Sequence, residues 1–231
     1  MKKIIFWFIN NLYYNSFSCT FLLPIEMKYI DIQKKLEKLK VFWVEDLKIL
    51  DDKYDKSKVM KWKKAWHIKQ IIRWYYILEK ININQNILFK ISNKIYSPSY
   101  ISLESAFSYY NLIPEQTFIT TAVSTKKTSC FNTDIWVFDY KKIKTDLFWW
   151  YNIIKMWENK ILLASLEKAL IDYFYLDSNI KSIDDFEFLR FNKITLNEKL
   201  DKWLLKKYWY ILNSKNIIDK INLLLKYIEN D

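Results

Sequence analysis

The stretch KYDKSKVMKWKKAWHIKQIIRWYY, Lys53 to Tyr76, carries eight cations, Lys53, Lys56, Lys58, Lys61, Lys63, Lys64, Lys69 and Arg73, against one carboxylate, Asp55. Its first half, Lys56 to Lys64, suits a helix. Asp55 or Ser57 can cap that helix, with Val59 and Met60 facing inward and the lysines outward. After Ala65 and Trp66 the composition changes. Ile68 to Ile77 is β-branched and aromatic and reads as strand with a turn inside it.

Working upstream, Ile32, Leu36 and Leu39 recur at helical spacing within Tyr29 to Leu39 and predict a first short helix. Val41 to Asp52 predicts a second, with Val44, Leu47 and Leu50 on one face. Glu45 and Asp46 lie in its first turn, where the helix dipole favours acids. Short helices followed by a hairpin, complete by about residue 80, have the order of a winged helix-turn-helix, assigned to 27–92. In that arrangement Lys56, Lys63 and Lys64 project from the helix that enters the major groove of double-stranded DNA. Lys69 and Arg73 lie on the wing beside the phosphates, and Ser57, Lys58 and Lys61 are candidates to reach base edges. The plain alternative is a solvated lysine face.

Composition fits this picture without requiring it. The chain has 231 residues, half of them apolar, enough for one large domain or two small ones with a buried core. Its formal charge of +11 favours polyanionic partners, nucleic acid or an anionic membrane surface. Cys19, Cys130 and the single histidine, His67, are too scattered for a zinc spacing, so no metal is expected and a reducing cytoplasmic setting is. Residues 1–26 begin like a signal peptide, but Asn10, Asn11 and Asn15 interrupt the apolar run and no small-residue cleavage site follows. They are expected to be an N-terminal extension, with Met27 as the true start and no membrane anchor.

The chain contains no glycine, where ordinary usage gives roughly 16, and it contains eleven tryptophans. Several tryptophans fall where a backbone favours glycine. Trp66 separates helix from strand, Trp74 follows Arg73 at the hairpin, Trp157 lies in the polar turn WENK, and Trp209 follows a helix expected over Leu196 to Tyr208. Positive φ is free for glycine and costs a bulky residue about 1 kcal/mol or more. Either one codon is read here as Trp where the organism reads Gly, or a compositionally drifted Lys/Ile/Asn-rich chain makes its turns with asparagine.

Further along, Lys80 to Lys94 is Asn-rich and reads as a last strand and a linker. Ser102 is placed to cap a helix through Tyr110, with Glu104 in its first turn and Asn111 as a C-terminal αL residue before Pro114. Thr117 to Thr125, Trp136 to Ile143, Leu147 to Met156 and Lys160 to Leu163 read as strands. Ser165 to Leu176 is a helix capped by Ser165. Leu196 to Tyr208, with Leu200, Trp203, Leu204 and Tyr208 on one face, and Ser214 to Ile228 are the last helices. The expected fold class is α+β: a winged helix-turn-helix, a mixed α/β domain over 93–178, and a helical C-terminal tail over 179–231.

The runs PSYISLESAFSYYNLIPE (Pro98 to Glu115), AVSTKK ending at Lys127, and ASLEKALIDYFYL (Ala164 to Leu176), together with KKAWHIKQIIRWYYIL, resemble the abortive-infection AbiEi-type antitoxins over roughly Val41 to Leu176. The last run matches if Trp66 and Trp74 stand for the glycines usual there, and Leu166 departs from a proline often found before the Glu-Lys pair. The resemblance implies a transcriptional regulator of a type IV toxin-antitoxin system serving phage defence. Its winged helix would bind inverted repeats upstream of its own operon, and its C-terminal domain would be needed for antitoxin activity. The functional partner implied is a nucleotidyltransferase-like toxin, countered without a stable complex. Whether the protein sits on DNA as monomer or dimer stays open, and a winged-helix regulator without a toxin remains the alternative.

Enzymatic patterns are weaker. Asp146, Glu158 and Lys160 have the residue types of a magnesium-dependent PD-(D/E)xK nuclease. Glu-x-Lys is expected by chance in so lysine-rich a chain, and here it falls in a hairpin turn. Glu104 and Glu167 lie in helix first turns, where stabilising the dipole accounts for them, and Asp172 is given a structural role with them. No P-loop or dinucleotide fingerprint occurs. The stripe Phe148 to Tyr151 reads as packing rather than base stacking. No cofactor and no catalytic residue are expected.

Overall fold

The computed structural model describes residues 30, 32–51, 54–115, 118–156, 159–177, 179–212 and 214–229. Residues 1–26 and Cys19, Trp157 and Glu158 lie outside them. The chain is a mixture of helices and sheets and divides between Ile81 and Asn82 into two units, rather than at 92.

In the first unit, helix α1 over 32–39 ends at Lys40, whose φ is 63°. Val-Phe-Trp, where periodicity predicts the start of a helix, instead forms a strand, β1 (Val41–Trp43). Its β-branched and aromatic side chains suit a half-buried pleat, and Val41 and Phe42 are fully buried. Helix α2 (Val44–Leu50) starts at once, with the Trp43 amide donating to the Asp46 carboxylate at 2.8 Å. Helix α3 (Lys56–Lys64) and strands β2 (Ile68–Ile72) and β3 (Tyr75–Leu78) follow. The sheet order is β1-β3-β2, both pairs antiparallel. Leu36, Phe42, Leu47, Val59, Trp62, Ile68 and Leu78 build the core. Met60, expected inward, is 52% exposed, because a helix turns about 100° per residue and Trp62, not Met60, shares the face of Val59.

In the second unit, the Asn-rich segment read as strand and linker is instead helix α4 (Gln85–Ile95), with the Asn84 side chain accepting from the Ile87 amide at 3.1 Å. Leu88, Ile91, Ser92 and Ile95 recur on one helical face, and that face, masked by asparagines in the sequence, is buried. The strands are β4 (Ser99–Ile101), β5 (Ile119–Ser124), β6 (Ser129–Asn132), β7 (Val137–Lys142), β8 (Tyr151–Met156) and β9 (Asn159–Ala164). They form one mixed sheet of order β6-β7-β5-β4-β9-β8. β4 and β6, three and four residues long, are too short to show in the sequence pattern. Helices α5 (Glu104–Tyr109) and α6 (Leu166–Leu176) fall within the runs Pro98 to Glu115 and Ala164 to Leu176.

Register decides how the helices cover this sheet. Tyr100 lies opposite Val123, while Tyr140 lies beside Ala122, so the two tyrosines face opposite sides. The Tyr100 hydroxyl donates to Asp172 of α6 at 2.9 Å, and the Tyr140 hydroxyl donates to the Ser92 carbonyl of α4 at 2.8 Å. Helix α6 therefore lies on one face and α4 on the other.

The C-terminal helices α7 (Asp184–Phe188), α8 (Lys193–Lys199), α9 (Lys202–Leu212) and α10 (Lys215–Glu229) are part of this unit, not a tail. Phe186 joins Phe174 of α6, Phe191 and Tyr227 of α10 in one aromatic cluster. The helix expected over Leu196 to Tyr208 breaks at Leu200, because Asp201 caps α9 by accepting from the Leu204 amide at 2.9 Å. Trp203, expected inward, is 70% exposed, and Leu205 is buried.

Candidate nucleic-acid interface

Helix α3 owes its position to both ends. Asp55 accepts from the Ser57 amide at 3.1 Å and from the Ser57 hydroxyl, which holds the Asp55 carboxyl below its ordinary value. At the other end the His67 amide donates to the Trp62 carbonyl at 2.9 Å and the Trp66 amide to the Lys63 carbonyl at 3.2 Å. These are the two bonds of a Schellman helix end, with Trp66 as its αL residue. With Val59 and Trp62 buried, the opposite face of α3 carries Lys56, Met60, Lys61, Lys63 and Lys64 into solvent.

The predicted site residues differ in their partners. Lys61 and Lys64 are exposed on that face. Lys63 donates to the Gln70 side-chain oxygen at 2.8 Å, linking α3 to β2 without neutralising its charge. Lys56 and Arg73 lie over the Trp74 ring, at 5.7 Å and 4.9 Å from its centroid. Lys69 pairs with Glu79 at 2.7 Å across the hairpin while staying half exposed. Ser57 is engaged in the cap, and the ammonium of the half-buried Lys58 lies 2.5 Å from Asp51. A serine at a helix start and a lysine one turn from an aspartate give no sequence signal that distinguishes them from free contacts, so tertiary neighbours alone separate them from Lys61 and Lys64.

Arg73 and Trp74 form the two-residue connection between β2 and β3, where Ile72 faces Tyr75, with a bulge between Gln70 and Ile72. Trp74 has φ 74°. His67 is partly buried at the base of this hairpin, its carbonyl accepting from the Glu79 amide at 3.0 Å.

The second unit holds a polar cluster of a different kind. Lys168 and Asp172, one turn apart on α6, form an ion pair whose side chains are 0% and 1% exposed. Asp172 also accepts from the Tyr100 hydroxyl at 2.9 Å and the Ser102 hydroxyl at 2.8 Å. Ser102 is thus drawn to α6 and does not cap α5, whose N-cap is Leu103. Burial pushes the Asp172 carboxyl up and the Lys168 ammonium down, and their mutual attraction opposes both shifts. The Lys168 ammonium also lies over the rings of Trp149 and Tyr100. Glu167 accepts from the Asp201 amide at 2.9 Å, so it holds two helices together. Asn93, within the segment read as linker, bonds both backbone groups of Leu162 and so fastens α4 to β9.

Of the residues weighed for nuclease chemistry, Asp146 and Lys160 are among the described residues and Glu158 is not. Asp146 lies in a 3-10 turn, Thr145–Leu147, and Lys160 faces Lys155 across β8 and β9. Among the described residues no group of three or more His, Cys, Asp or Glu side chains gathers as a metal site. None of the described helices is long and apolar enough to cross a membrane.

No known family model matches the chain, and no curated protein matches it.

Proposed function

We propose that the protein is a cytoplasmic DNA-binding transcriptional regulator, and that it acts as the antitoxin of a type IV abortive-infection pair. In this reading the first unit is a winged helix, α3 is the helix that enters the major groove, and the β2–β3 hairpin is the wing. The observation that carries it is the cluster of Lys61, Lys63 and Lys64 on the solvent face of α3 beside a short hairpin bearing Lys69 and Arg73. The order helix, strand, helix, helix, strand, strand with sheet order β1-β3-β2 is that of winged helices and supports the assignment. Lys63 and Lys64, with Lys56, supply phosphate contacts from the helix, and Lys69 and Arg73 do so from the wing. Lys61 is the remaining candidate for a base edge.

The antitoxin part rests on the resemblance of Pro98 to Glu115 and Ala164 to Leu176 to AbiEi-type proteins. Those runs form β4, α5 and α6, the elements that the Tyr100, Ser102 and Asp172 bonds tie together. The partner is a nucleotidyltransferase-like toxin whose effect is countered without a stable complex.

The test is a mobility-shift titration against duplex from upstream of the protein's own reading frame. Binding tighter than to a scrambled duplex, falling steeply as salt rises, is expected. Equal binding to both duplexes removes the operator reading. Co-expression with the neighbouring nucleotidyltransferase-like reading frame should relieve its growth arrest, and persistent arrest removes the antitoxin reading.

A further inference from the structure

We infer that positions 66, 74 and 150 are glycine in the protein as its own cell translates it, the codon written there as tryptophan being decoded as glycine, while Trp62 is a genuine tryptophan. Seven described residues have positive φ, and three of them are Trp66, Trp74 and Trp150, at 57°, 74° and 58°. Tryptophan supplies only eleven of the 231 residues, so its share of these positions is far above its share of the chain. A Cβ makes that backbone region unfavourable, and a bulky side chain gains nothing there unless it packs.

None of the three indoles is buried in the core, and the gain of Trp74 is limited to its contacts with Lys56 and Arg73 at the surface. Trp66, the αL residue of the Schellman end of α3, is 75% exposed. The equivalent residues closing α5 and α7 by the same bond pattern are Asn111 and Arg190, flexible polar side chains that sit easily in water. Trp74 stands in the hairpin connection next to a bulge, where glycine is the usual αL residue. Trp150 is crowded. Its ring lies 3.3 Å from the centroid of Trp149 and 3.5 Å from that of Tyr208. Aromatic pairs settle at about 4.5–7 Å between centroids. Removing the indole at 150 leaves Trp149 and Tyr208 at an ordinary 5.4 Å.

Trp62 is the internal contrast. It lies within α3, is 4% exposed, and fills the core of the first unit with Val59, Leu36 and Phe42. Glycine there would weaken the helix and open a cavity. Trp209, which the sequence placed after a helix, lies inside α9, where the backbone makes no demand for glycine. The assignment thus separates tryptophans by position.

Glycine at 74 also changes the proposed DNA surface, a consequence that rests on the DNA-binding reading as the residue identities do not. The indole between Lys56 and Arg73 disappears, and both cations are left unstacked beside the exposed face of α3.

Peptide mass mapping of the protein from its own cell tests the assignment. Glycine at 66, 74 and 150 with tryptophan at 62 is expected, and tryptophan at the three positions overturns it. With recombinant protein, Trp66→Gly, Trp74→Gly and Trp150→Gly should each raise the thermal midpoint of the unit that carries it by about 3 °C or more. Trp62→Gly should lower it by roughly 10 °C or more. A midpoint that falls in all three glycine variants overturns the inference. Glycines found by mass in a protein that does not bind DNA would keep the assignment and remove the proposed function.

Discussion

Lys63 and Lys168 are the same side chain in opposite settings. Lys63 stands on the water-facing side of α3, its ammonium touching only the neutral amide of Gln70 among its described hydrogen-bond partners. Lys168 is 0% exposed, with its charge answered by Asp172 and set against two aromatic rings. Lys220 in the same unit is also buried, donating to the carbonyls of Phe174 and Asp177 at the C-terminal end of α6. A charged group in low dielectric has to be matched there, whereas one in water stays available to a phosphate. A net charge of +11 therefore does not say which cations face water, and the distribution of fixed partners does.

Removing charges from each region should break the two in different ways. Lys168→Met leaves Asp172 buried and uncompensated and should cost about 3–5 kcal/mol in chemical denaturation. Lys168→Met combined with Asp172→Leu should regain part of it, and a single-variant loss below about 1 kcal/mol would mean that water reaches the pair. Lys220→Met strands two carbonyls and should cost about 1–3 kcal/mol, read by the same titration. Lys63→Ala with Lys64→Ala should leave stability within about 0.5 kcal/mol. The same double variant should flatten the plot of log affinity against log salt by about 2, and an unchanged slope would exclude both lysines from phosphate contact.

The smallest effect concerns pH. Asp55 has a folded value held below its unfolded one, mainly by the Ser57 hydroxyl and amide. Its capping contribution is present above the ordinary carboxylate range and is lost as pH falls through the lowered folded value. Thermal midpoints of the first unit between neutral and strongly acidic pH should show that loss. In Asp55→Asn the same part of the profile should flatten, since an amide oxygen can cap without titrating.

Local chemistry was legible wherever neighbours in sequence supply the partner. Asp55 before α3, Ser165 accepting from the Lys168 amide, and Asn111 closing α5 follow from capping rules that reach only a few residues. Elements stabilised from a distance were not. β1 exists because β3, over thirty residues later, offers it a partner, and α4 was hidden because its buried face is interrupted by asparagines, one of which, Asn93, bonds the distant strand β9. At the candidate interface the sequence placed all the cations, but Lys58 and Lys69 looked as free as Lys61 and Lys64, because nothing in the basic run itself tells which ammonium finds a carboxylate.

By itself the sequence determined the basic helix and hairpin of Lys53 to Tyr76, the mixed helix and strand composition, and the anomaly of a chain with tryptophans and no glycine. Periodicity, capping and composition are properties of neighbouring residues and need no fold to act. Only the tertiary structure decided which lysines present their ammonium groups to solvent, which side of the sheet Tyr100 and Tyr140 face, and which tryptophans occupy positive φ. Each of these depends on groups far apart in the chain being brought within hydrogen-bonding or van der Waals distance.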